Sequence, residues 1–253
     1  KSYDRPEYEP FLAAAEDLRM PLSLHAVTNR PATQSGDGDE ALRTLDGPID
    51  YAALANIDHW VRMSLARMIL SGVFERHPDL AFVNTETGTA WLPETLEKLD
   101  SFYERMKYST YGSESIFGGL AVENLSLKPS EYWKRQCHIG ASFLRPTEVG
   151  LCAEIGIDNL MWGSDYPHTE GSFPYTREHL RLTFGDQSVG DTTKLLTTNV
   201  ARLYRFDVEA LRPLAEQYCP TKAEVANPID YSEIPEEAKG CPGMNPLNQV
   251  QAV

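Results

Sequence analysis

"NLMWGSDYPHTEG", residues 159–171, decides how this chain is read. The apolar run Leu160-Met161-Trp162 stops at Gly163-Ser164, and Asp165 and His168 follow at once. A short apolar run bounded by turn residues reads as a buried strand. A carboxylate and an imidazole at its C-terminal end are then either site chemistry or an ordinary return to water.

Working outward, the same arrangement recurs. PLSLH (residues 21–25) follows a stretch with Phe11, Leu12, Ala15 and Leu18 at helical spacing. LAFVN (80–84) follows a long helix candidate, Asn56 to Arg76. QCHIGA (136–141) follows a helix from about Ala90 to Met106 and a loose aromatic segment. Thr147 to Ile155 reads as a short helix before the strand Asn159 to Gly163, and helices Thr176–Phe184 and Thr192–Tyr204 close the pattern. Strand and helix alternate four times, which argues for parallel strands with crossover helices. From Asp207 the character changes: a helix-like DVEALRPLAEQY leads into NPIDYSEIPEEAKGCPGMNP, rich in Pro and acids, which reads as an extended tail. The expected division is therefore residues 1–206, an alternating strand–helix portion, and 207–253, a helix with an extended tail.

Composition limits the class of partner. The 253 residues carry 42% hydrophobic and 10% aromatic side chains, as a folded protein does. A net charge of −14 with basic residues scattered singly argues against nucleic acid, whose phosphates need clustered Lys and Arg. No apolar run approaches the ~20 residues of a membrane span. Cys137, Cys152, Cys219 and Cys241 contain no CxxC pair, so reduced thiols in the cytoplasm are the plain expectation.

Three of the four strands end in ionisable groups: His25, Glu86 just past LAFVNT, and Asp165 with His168. In a closed parallel barrel these ends share one face, where several strands contribute catalytic side chains. His, Glu and Asp from separate strand ends make a natural divalent-metal set. Each also has a plainer reading. His25 can be hydrogen-bonded scaffold, Glu86 a cap for the helix starting near Thr89, Asp165 an Asx turn, and His168 a supporting partner beside Tyr166. His138 lies inside a strand and can face the barrel interior or a helix, while His59, His77 and His179 fall in or beside helices and read as structural.

LHA after an apolar strand, SGVFERHPDLAFV, TGTAWLPETLEKLD, MWGSDYPHTEG and TTNVARLYRF, in this order from about Tyr3 to Phe206, resemble the amidohydrolase-related superfamily. The branch they resemble holds aminocarboxymuconate-semialdehyde decarboxylase and the resorcylate-type decarboxylases. The resemblance implies a metal-dependent (β/α)8 TIM barrel, of which this chain supplies roughly strands 5–8 with their helices, plus the C-terminal tail. It implies that His25 is the metal-binding or metal-adjacent His of the fifth strand and Asp165 the ligand and acid–base group of the eighth; the candidate metal ligands are then His25, Glu86 and Asp165, and the candidate catalytic residues Asp165 and His168. It also implies a divalent metal, zinc first, with manganese, iron or magnesium as alternatives. Two departures stand out. Glu86-Thr-Gly88 replaces a His-Gly-Gly motif, and the first-strand His-x-His pair has no counterpart.

The function this implies is metal-dependent hydrolysis or non-oxidative decarboxylation of a small carboxylated or aromatic substrate. Arg30 in the long segment Val27 to Asp50, Arg145 in SFLRPTE, and Tyr166 are candidate substrate contacts, since Arg grips carboxylates bidentately. The missing N-terminal barrel half, from the same gene or a second polypeptide, is an expected partner, and homo-oligomerisation is expected as well. The competing expectation is a non-catalytic subunit or ligand-binding module on the same fold.

Overall fold

A computed structural model describes residues 3–25, 56, 58–108 and 122–245. Four parallel strands form one sheet in sequence order: β1 (Leu22–His25), β2 (Phe82–Thr85), β3 (Cys137–Ser142) and β4 (Leu160–Gly163). The strands are joined through helices: α1 (Glu9–Asp17) precedes β1, α2 (His59–Leu70) precedes β2, and α3 (Leu92–Tyr108) and α4 (Pro129–Gln136) lie between β2 and β3. After β4 come α5 (Thr176–Phe184), α6 (Asn199–Tyr204) and α7 (Val208–Tyr218). Neighbouring parallel strands connected in sequence order are the arrangement of consecutive (β/α) barrel units.

Register sets which face each side chain takes. Leu24, Asn84, Ile139 and Leu160 lie in one row across all four strands, and all are buried. Along β3 the odd residues Cys137, Ile139 and Ala141 are buried, and His138, Gly140 and Ser142 between them are partly open. The buried row faces the helices, because side chains alternate across a strand. His138 therefore faces the other, barrel-interior side, in the row of Ser23 and Val83. It lines a cavity of about 1200 Å³ at the N-terminal end of the strands, with Arg19, Asp79, Arg135 and Asp158. That is the end opposite Asp165. Among the described residues, β1 and β4 are the outermost strands of the sheet.

The helix layer is packed on Trp133, Tyr132, Phe74 and Phe184, all fully buried. Trp133 Nε1 donates to Ile155 O at 2.8 Å. Three buried amides hold the strand entrances. Gln136 Nε2 donates to His77 O and Leu80 O, Asn159 Nδ2 to Cys137 O at 2.7 Å, and Asn199 Nδ2 to Leu160 O at 2.7 Å. Each gives its buried side-chain N–H groups backbone carbonyls to bond at a strand's start. His77 is structural as expected: Glu16 meets its Nδ1 and Glu9 its Nε2, both at 2.9 Å, fastening α1 to the turn before β2.

Several boundaries differ from those read in the sequence, each for a local reason. The helix expected through Arg76 stops at Leu70, because Gly72 adopts φ 74° and restarts the chain as the single turn Val73–Arg76. The helix expected from Thr147 is two turns, Pro146–Val149 and Cys152–Ile155, separated at Gly150-Leu151. The last helix of the pattern begins earlier, at Val189, and carries a π-helical turn at Lys194–Thr198 before α6. Beyond α7 the tail is a series of short turns, Lys222–Val225, Tyr231–Glu233, Glu236–Gly240 and Pro242–Met244, not a featureless extension.

One buried and one half-buried imidazole, His179 and His138, should make the fold acid-sensitive. Burial pushes His179 down to about 4, and burial aided by the charge of Arg202 does the same to His138. The fold favours both in the neutral form. Their contribution is fully present above the unfolded value near 6.5 and is lost as pH falls toward 4. The melting temperature should drop steeply between these limits, and His179→Phe should flatten the drop. An unchanged acid limb in that variant would exclude His179 as its source.

Candidate active site

The C-terminal strand ends are conformationally unusual. Glu86 after β2, Phe143 after β3 and Asp165 after β4 have φ of 58°, 40° and 60°. Side-chain-bearing residues avoid this region at a cost of order 1 kcal/mol or more, and such residues concentrate at functional sites. Here the turn at each strand end swings the side chain out of the strand's alternation.

The loop after β4 is the best-defined of the three. His168 N donates to Asp165 O at 2.8 Å, Gly171 N to His168 O at 3.1 Å, and Ser172 N to Ser164 O at 2.9 Å. Position 171 requires glycine: a Cβ there would lie 2.7 Å from Ser164 O and 3.0 Å from both Asp165 O and His168 O. The closed loop gathers three side chains. His168 Nδ1 lies 3.4 Å from Asp165 Oδ2 and 3.4 Å from Glu170 Oε1. The Asp165 side chain is 17% exposed, and its Oδ2 is buried without a hydrogen-bond partner. Among the described residues, Asp165, His168 and Glu170 are the one group of three whose ligand atoms all lie within 4.8 Å of each other. A buried carboxylate oxygen with no donor, beside an imidazole and a second carboxylate, fits a divalent cation.

The sequence candidates thus fall into two groups. His25 Nε2 is paired with Glu86 Oε2 across β1 and β2. Asp165 sits with His168 and Glu170. His25 and Asp165 come from opposite sheet edges, three strand spacings or about 14 Å apart along the sheet, so His25, Glu86 and Asp165 do not form one ligand cluster here. Glu170 was not singled out in the sequence. Its signal was there: a carboxylate two residues past His168, in a loop tight enough to fold it back.

Arg145 Nε lies 3.3 Å from Glu148 Oε2, which also accepts Arg145 N at 3.0 Å. The other oxygen of Glu148 accepts Thr89 N at 2.7 Å and Thr89 Oγ1 at 3.2 Å. Buried Glu148 therefore ties the loop after β2, which carries Glu86, to the loop after β3, and orients Arg145, whose side chain is still 39% exposed. Glu148→Gln replaces one acceptor by a donor facing the Arg145 or Thr89 N–H. It should destabilise the fold by about 1–3 kcal/mol, read from urea unfolding; a change below 0.5 kcal/mol would show that the loops are held otherwise. Tyr166 is 65% exposed and meets Phe173 edge-on, with ring centroids 5.2 Å apart. Arg30 and the rest of the Val27 to Asp50 segment lie outside the described residues.

Residues 1–206 match the amidohydrolase family. Gamma-resorcylate decarboxylase from Rhizobium sp. (strain MTP-10005) is 26% identical over 208 residues, which are 81% of this chain and 56% of that protein. The crystal structure of 5-carboxyvanillate decarboxylase LigW from Sphingomonas paucimobilis superposes with a TM-score of 0.62 at 27% identity, over 81% of this chain and 55% of that one. LigW2 from Novosphingobium aromaticivorans, solved with bound manganese and 3-methoxy-4-hydroxy-5-nitrobenzoic acid, gives a TM-score of 0.60 at 21% identity, covering 81% and 54%. The chain spans a little over half the length of the relatives it matches. No helix among the described residues is long and apolar enough to cross a membrane.

Proposed function

The chain belongs to the amidohydrolase family, and from that premise we propose that it carries the metal-binding and acid–base half of a decarboxylase acting on a small aromatic carboxylate. The observation that carries the reading is the buried Asp165 oxygen that accepts no hydrogen bond, held beside His168 and Glu170 on a conformation that most residues avoid. Manganese suits two carboxylates and one imidazole at least as well as zinc, because the set is dominated by hard oxygens. Bound there, a divalent cation supplies positive charge that orients and polarises a substrate oxygen.

The residues of this chain do the rest. Loss of CO2 from an aromatic acid needs a proton on the ring carbon as its bond to the carboxylate carbon breaks. The bonding pair stays with the ring and CO2 departs. Asp165, having taken up a proton from solvent with His168 beside it, is proposed to deliver that proton and to be left as the carboxylate. Hydrolysis would use the same pair to take a proton from water; the similarity to aromatic acid decarboxylases favours carbon–carbon cleavage. Arg145, held by Glu148, is proposed to grip the substrate carboxylate, with Tyr166 and Arg30 as further contacts. His25 and Glu86 are proposed as a second ligand group on the same rim. Among the described residues nothing pairs with the outer edges of β1 and β4, and open edges favour further strands; the complete site is proposed to include a second half-barrel, from the same gene or a second polypeptide. Assembly with further copies of the chain, in the cytoplasm, belongs to the same reading.

Metal analysis of protein purified without chelator is the first test, followed by assay of CO2 release from hydroxylated benzoates before and after chelation. About one manganese or zinc per complete barrel, with turnover lost on chelation and restored by metal, is the expected result. Absence of metal, or turnover indifferent to chelator, would sink the proposal in favour of a binding subunit.

A further inference from the structure

The family match ends at residue 206, and α7, just beyond it, has no buried residue. The chain nevertheless returns to the barrel. Ile234, Ala238, Cys241 and Met244 are each no more than 5% exposed, and they form an apolar cluster of their own with Phe143, Tyr175, Leu182 and Ile229. The returning segment meets α5 at two glycines. A Cβ on Gly185, at the end of α5, would lie 2.4 Å from Pro228 Cα. A Cβ on Gly243, in the tail, would lie 2.4 Å from His179 Nε2 and 2.7 Å from Phe143 O. Between these points Arg181 Nε donates to Asn227 O at 2.7 Å.

Both elements gripped by the tail lead to the site. Phe143 is the left-handed residue that ends β3. At the start of α5, Thr176 Oγ1 is 3.1 Å from Ser172 Oγ, and Ser172 closes the loop that holds Asp165, His168 and Glu170. The His179 ring lies 5.9 Å from that of Trp162 on β4, three residues before Asp165.

We propose that residues 227–245 are a positioning clamp for the site. Gly243, seated on His179 and Phe143 with Cys241 and Met244 packed behind it, holds the Asp165–Glu170 loop in the conformation that brings its three side chains together. Its consequence for metal binding rests on the function proposed above; its effect on the loop does not. None of these tail residues touches the reacting atoms, so they act through α5 and the strand-end loops.

Hydrogen exchange of the full chain, followed by mass spectrometry, separates the two ideas. In Gly243→Val the amides of residues 164–172 should exchange at least tenfold faster than in the parent, while those of β3 stay protected. Met244→Ala, which opens space in place of a clash, should do the same more weakly and keeps the test valid if the valine variant does not fold. Manganese affinity, measured on the same proteins, should weaken about tenfold. Unchanged exchange in 164–172, whether or not the tail itself loosens, overturns the clamp. Failure of the parent protein to bind manganese, with the loop still loosened in the variants, would overturn the metal reading and leave the clamp standing.

Discussion

Asparagine in place of Asp165 is expected to abolish tight metal binding and to lower turnover by about 10²–10⁴-fold, the usual contribution of a positioned proton-transfer group. The substitution is well matched to the question. Asp165 has φ 60°, and Asn is among the residues that best tolerate that region. It also preserves the shape of the side chain, so the loop closed by His168 N, Gly171 N and Ser172 N should keep its hydrogen bonds. What changes is the charge and the capacity to give or take a proton. The melting temperature should therefore move by no more than a few degrees while metal content and turnover collapse together. Full turnover in this variant with a competent substrate would show that the chemistry lies elsewhere. Retained metal with lost turnover would assign Asp165 to proton transfer alone and leave the ion to His168, Glu170 or the His25–Glu86 pair.

Trp133→Ala should be the most damaging single change to the fold. Trp133, carried on α4, is fully buried, and its Nε1 donates to Ile155 O at 2.8 Å in the turn before β4. Truncation removes a large apolar area, leaves a cavity that the rigid sheet cannot collapse, and strands the Ile155 carbonyl. Such changes cost about 3–5 kcal/mol, or roughly 10 °C in melting temperature for a chain of this length. The loss should exceed that of any single exposed residue of α7, such as Leu214, which is 55% exposed. Denaturant unfolding of both variants checks the order. A loss below about 1 kcal/mol for Trp133→Ala would mean that the helix layer is less tightly packed than its burial implies.

Much of this protein is legible locally. The apolar runs that predict strands become β1 to β4, in sequence order and parallel, because alternation of strand and helix leaves few other topologies. Helix α5 spans the residues its periodicity predicts, Thr176–Phe184. Polar residues at successive strand ends point to one functional rim, and the motifs from Tyr3 to Phe206 point to the family. Strand period, helix period and motif order are all properties of neighbouring residues, so composition and spacing suffice to read them.

The tertiary structure decided which of those residues meet. His25, Glu86 and Asp165 look alike in sequence, each a polar group closing a strand. Yet His25 finds Glu86 across adjacent strands, whereas Asp165, on the far edge strand, finds His168 and Glu170 within its own loop. That choice depends on left-handed turns at Glu86 and Asp165, a glycine with no room for a Cβ at 171, and strand order, none of which leaves a periodic trace. Arg145 is engaged by Glu148 for the same kind of reason, since a buried carboxylate serving two loops is visible only once β2 and β3 are side by side. The tail is the clearest case. Its Pro-rich, acidic composition reads as a loose end, but four small and apolar side chains spaced along it close over Phe143 and Tyr175. A handful of buried contacts between distant segments outweighs local composition, because burial acts on whatever surfaces the fold brings together.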